Sequence, residues 1–60
     1  MKKQVILDEI EILEMDLKDL QDRYEQAELE ADLFMINETS NQINVVYAQI
    51  DVLNTVLDRL

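Results

Sequence analysis

Cysteine, histidine, glycine and proline are all missing from this 60-residue chain. Each absence closes off a class of explanation. Without cysteine there are no disulfides and no thiolate sites. Without histidine the commonest zinc ligand is gone, and so is the usual general base near neutral pH. Loop-rich folds and tight β-turns draw on glycine and proline. Helices joined by very little loop are therefore expected instead. No apolar run approaches the roughly 20 residues of a membrane span. In Met1-Lys2-Lys3-Gln4-Val5-Ile6-Leu7-Asp8 an acid ends the apolar run after Leu7, unlike a secretory signal. A cytoplasmic location without membrane contact is the resulting expectation.

What is present is apolar and acidic. Hydrophobic residues make up 48% of the chain, too many for a disordered acidic tail. A chain this short forms one domain at most, spanning 1–60, and a lone core of that size is marginal. Self-association or a partner is the expected source of further stability. Fourteen acids against five bases give a net charge of −9. Most of the acids fall between Asp8 and Asp32, where Lys18 and Arg23 are the only bases. Such a surface repels nucleic acid and anionic membranes and attracts a basic protein.

The apolar residues follow a heptad. Ile6, Ile10, Leu13, Leu17, Leu20, Tyr24, Ala27, Ala31 and Phe34 recur at alternating spacings of four and three. That is the seam of a coiled-coil helix. Glu14 with Lys18, and Asp19 with Arg23, are acid-before-base pairs at helical neighbour spacing. Each supports a helix by about 0.2–0.5 kcal/mol. Continuing the seam would put Glu38 and Asn41 in the core. A second seam runs two residues out of phase through Ile43, Val46, Ile50, Leu53, Leu57 and Leu60. Between the two lies Asn37-Glu38-Thr39-Ser40-Asn41-Gln42, a cluster of cap-forming residues. Asn37 suits the left-handed end of a first helix, and Thr39 with Gln42 suits a capping box opening a second.

These signals predict an all-α, antiparallel two-helix coiled-coil hairpin. The long helix 1 covers about 3–36, the turn about 37–40 and the shorter helix 2 about 40–60. The expected core is Leu17, Leu20, Tyr24, Ala27, Ala31 and Phe34 against Leu60, Leu57, Leu53, Ile50, Val46 and Ile43, paired in that order. Helix 1 would be roughly 50 Å long and helix 2 roughly 30 Å. The difference leaves Val5, Ile6, Leu7, Ile10, Ile12, Leu13 and Met15 as an uncovered apolar overhang. Burying a large aliphatic side chain gains about 1.5–3 kcal/mol, so a second chain is expected to cover it. The simplest is another copy, giving a homodimeric four-helix bundle. Val45, Tyr47, Val52 and Val56 widen the apolar face of helix 2. The expected oligomer or partner interface is thus Val5, Ile6, Leu7, Ile10, Ile12 and Leu13 with Val45, Val52 and Val56. The simpler alternative is that the helix 2 residues only widen the core of one hairpin.

No enzyme is expected. Glu28 with Asp32, and Asp8 with Glu11, are carboxylate pairs at helical spacing. Di-metal bundle sites need inward carboxylates and histidine, and glycosidase-type acid pairs need a cleft. No cofactor or metal is expected either. Tyr24 and Tyr47 read as core or rim packing. Met15 and Met35 suit an adaptable binding surface. Ala27 and Ala31 allow close helix approach or leave room for a partner. The expected function is a non-enzymatic protein–protein interaction module, a small regulator or inhibitor that dimerises and binds another, basic, protein. A structural scaffold or chaperone-like coiled coil is the alternative. A second alternative is an acidic DNA mimic, since the carboxylate density along helix 1 approaches the roughly 3.4 Å phosphate spacing of a DNA strand. No direct nucleic-acid binding is expected. Against the mimic, the acids surround helix 1 on nearly every non-seam position and suit a solvated exterior.

Overall fold

The computed structural model describes residues 2–60 and contains two helices, α1 (Lys2–Leu29) and α2 (Leu33–Asp58). They fold back on each other as an antiparallel hairpin. A 28-residue helix such as α1 measures about 42 Å, close to the 44 Å long axis of the molecule. Both helices therefore run nearly the full length of a thin rod.

The connection is three residues, Glu30-Ala31-Asp32, and its backbone N–H groups are all used. The Glu30 N–H donates to the Gln26 carbonyl at 3.1 Å, continuing the ladder of α1. The Ala31 N–H donates to the Glu28 carbonyl at 3.1 Å, and the Asp32 N–H to the Ala27 carbonyl at 3.0 Å. This pair of hydrogen bonds closes a helix through a left-handed residue. Ala31 is that residue, at φ 52°. A side chain there costs roughly 1–2 kcal/mol that glycine would not incur. Asp32 then opens α2. Its backbone is extended at φ −86°, ψ 92°, and its carboxylate accepts from the Met35 N–H at 3.1 Å. Capping of this kind contributes roughly 0.5–2 kcal/mol and offsets the strain at Ala31.

The turn thus lies at 30–32, not at 37–40, and the expected long and short helices are of nearly equal length. Residues 37–40 sit inside α2. Asn37 does not end a helix, and Thr39 is not a cap. Thr39 is instead 1% exposed in the core. Its hydroxyl donates to the Met35 carbonyl, with a longer 3.4 Å contact to the Ile36 carbonyl. The helix's own backbone satisfies the hydroxyl, so burying it leaves no orphan polar group.

Moving the turn changes the register. Leu13 shares a groove with Gln49 and Leu53, Leu20 with Gln42 and Val46, and Ala27 with Met35. Ile6, Ile10, Leu13, Leu17, Leu20, Tyr24 and Ala27 therefore lie level with Leu57, Leu53, Ile50, Val46, Ile43, Thr39 and Ile36 in turn. The expected pairing was two heptads away. Ile10, Ala27 and Val46 are buried, and the other aliphatic residues of these layers are partly buried. Ala31, Phe34 and Leu60, expected in the core, are exposed. Ile6, Ile10 and Leu13, expected in an overhang, are hairpin core, and there is no overhang. Energetics explain the outcome. The observed register covers three large aliphatic side chains that the other leaves in water, at about 1.5–3 kcal/mol each. Ile36 is covered as well, while Phe34 and Leu60 are given up, and the net gain of two large side chains exceeds the roughly 1–2 kcal/mol of the left-handed alanine.

Candidate interaction surface

In an antiparallel pair each helix has two flanks beside its seam. On one flank α1 presents Glu14 and Gln21, and α2 presents Ser40, Tyr47 and Asn54. A hydrogen bond from Gln21 Nε2 to the Tyr47 hydroxyl at 3.4 Å crosses between the helices there. Gln4, Glu11, Lys18, Asn44 and Asp51 extend that flank outward, so it is polar over most of its length.

The opposite flank is different. A groove runs along it from the turn to the open end. Near the turn it is lined by Arg23, Gln26, Glu30 and Met35. Its middle has Asp16, Arg23, Gln42 and Val45. At the open end it widens to about 630 Å³ between Glu9, Val45, Ala48, Gln49 and Val52, with Leu13 and Leu53 at its base. Arg23 and Val45 each line two adjoining stretches, so the groove is continuous. The heptad puts Val5 and Ile12 on the same flank of α1, and Val56 on that of α2. All are exposed, Val52 at 61% and Val45 at 56%.

Of the residues expected to form an interface, then, Val5, Ile12, Val45, Val52 and Val56 share one flank, from the middle of the rod to its open end. Leu7 is exposed on the other flank. Ile6, Ile10 and Leu13 are engaged between the two helices. A second apolar cluster lies at the tip, where Leu29 and Leu33 flank the turn and Phe34 is 74% exposed. The heptad seam predicts Phe34 in the core and assigns no role to Leu29 or Leu33. The available signal was Asp32, a strong helix-opening residue, followed by an apolar run.

Charge is segregated between the helices. α1 carries most of the acids, while the only charged residues of α2 are Glu38, Asp51 and Asp58. Asp19 and Arg23 form the expected ion pair at 3.1 Å, with both side chains 63% exposed. Exposed pairs of this kind contribute little. Among the described residues, no group of three acidic side chains is placed to share a metal ion. Among them, too, no helix is long and apolar enough to cross a membrane. No protein-family model matches the chain, and no curated protein or solved structure matches it significantly.

Proposed function

We propose that this chain is a non-enzymatic protein–protein interaction module, a small regulator or inhibitor whose helical surfaces take up other helices, a second copy among them. One observation carries the reading: the hairpin leaves more large apolar side chains exposed than it buries. Ile10, Ala27 and Val46 are its buried apolar residues, while Val5, Ile12, Met15, Leu29, Leu33 and Phe34 are among the large ones exposed. Contiguous exposed apolar surface of this kind marks association sites in soluble proteins.

The test separates apolar recognition from the DNA-mimic alternative. Affinity capture is run with the wild type and with an Ile12→Asp, Val52→Asp double variant, at roughly 0.05 and 0.5 M salt. Ile12 and Val52 are both exposed, so the variant keeps the hairpin. An apolar module loses its partners in the variant and keeps them at high salt. Partners that survive the substitutions and are released by salt would sink the reading in favour of the acidic surface of α1.

A further inference from the structure

We infer that the flank bearing Val5, Ile12, Val45, Val52 and Val56 seats a second copy of this chain, with α1 of one copy lying lengthwise over α2 of the other. The inference rests on the interaction-module reading and deepens it by naming the occupant and the geometry.

Exposed area favours a second copy. The hairpin exposes 4795 Å². A folded monomer of 7.1 kDa is expected to expose about 4,100 Å². The excess of roughly 700 Å² is close to the about 800 Å² that each partner buries in a standard interface. A face-to-face pair of these rods therefore brings each chain to the exposure of an ordinary globular protein. A small partner docked only at the tip does not remove an excess spread along 44 Å of rod.

The apolar row of α2 selects the flank, and charge selects the arrangement. Both flanks of α1 carry carboxylates, Glu11 and Glu14 on the polar one and Glu9 and Asp16 on the other, so the difference lies in α2. On the apolar flank α2 presents Val45, Ala48, Gln49, Val52 and Val56, a row with no carboxylate and no base. Two copies can stack on that flank in two ways. A twofold axis across the rod stacks α1 on α1 and brings Glu9 of one copy near Asp16 of the other, carboxylate on carboxylate. An axis along the rod puts each acidic α1 over the nearly uncharged α2 of the second copy, with the two α1 helices on the diagonal. Residues equally far from the turn then meet. Ile12 lies over Val52 and Val5 over Val56. Arg23 comes level with Glu38, an attractive pair. Every helix then packs antiparallel to both its neighbours, as in up-down four-helix bundles.

The experiment is sedimentation of the full chain combined with directed cross-linking. The wild type is expected to sediment as a dimer through the micromolar range. Val52→Asp is expected to raise the dimer dissociation constant at least tenfold by burying an unpaired charge, with helix content unchanged by circular dichroism. Phe34→Asp at the tip is expected to leave the dimer intact. The chain has no native cysteine, so oxidation of single-cysteine variants reports geometry directly. Mixing Ile12→Cys with Val52→Cys is expected to give the mixed cross-link, and Ile12→Cys alone is expected to give none. A monomeric wild type overturns the inference, while the interaction-module reading still stands or falls on the capture experiment. Dimer loss in Phe34→Asp but not in Val52→Asp overturns the choice of flank. Efficient self-cross-linking of Ile12→Cys overturns the arrangement and selects the axis across the rod.

Discussion

At Ala31 the backbone holds φ 52° with a methyl group where glycine would be unstrained. Ala31→Gly should therefore stabilise the hairpin by about 1 kcal/mol, less the entropy glycine gains when unfolded. Urea unfolding followed by circular dichroism measures this. A destabilised variant would mean that the left-handed turn is not where the chain reverses. The neighbouring Asp32 shows why the turn holds here without glycine. One residue ends the bonding of α1 through its N–H and opens α2 through its carboxylate. Thr39 makes the opposite point. Threonine favours helix starts, yet here its hydroxyl is served by a carbonyl one turn back and the residue takes a core position.

At the scale of the helices, what the sequence made legible was the seam, and what it left open was the pairing of seams. Ile6 through Ala27 and Ile43 through Leu57 line the helix–helix contact as their spacing implied. Two heptad seams, however, can meet in any register displaced by whole heptads. Periodicity alone therefore cannot say which layers face each other. The cap-forming cluster at Asn37–Gln42 pointed to one closure, and burial of Ile6, Ile10 and Leu13 favoured another. Tertiary packing outweighed local preference because each aliphatic layer is worth more than a cap. The same shift moved Ile6, Ile10 and Leu13 of the expected interface into the hairpin, leaving Val5, Ile12, Val45, Val52 and Val56 on the flank. Two substitutions distinguish the registers. Ile10→Ala should cost about 2–5 kcal/mol, enough to unfold a hairpin of this size. Phe34→Ala, at an exposed site, should change stability by about 0.5 kcal/mol or less. Reversed magnitudes in chemical denaturation would restore the turn at 37–40.

For the whole molecule, charge and shape act together. A net charge of −9 on a rod 44 Å long and 14 Å wide concentrates like charges along α1. Only one ion pair, Asp19 with Arg23, relieves it among the described residues. Added salt should screen this repulsion. The melting temperature at fixed protein concentration is expected to rise by a few degrees between low and physiological ionic strength, equivalent to roughly 0.5 kcal/mol. A fall with salt would mean that attractive pairs, not self-repulsion, dominate the surface.

The three-residue turn also decides how the hairpin meets mechanical force. With helices of nearly equal length, the start of α1 and the end of α2 lie at the same end of the rod, opposite the tip. A pull on these two helix ends loads the layers in sequence, from Ile6 and Leu57 towards Ala27 and Ile36, and never shears them all at once. The rod should peel open like a zipper at low force, and the capped turn at Asp32 should be the last part to yield.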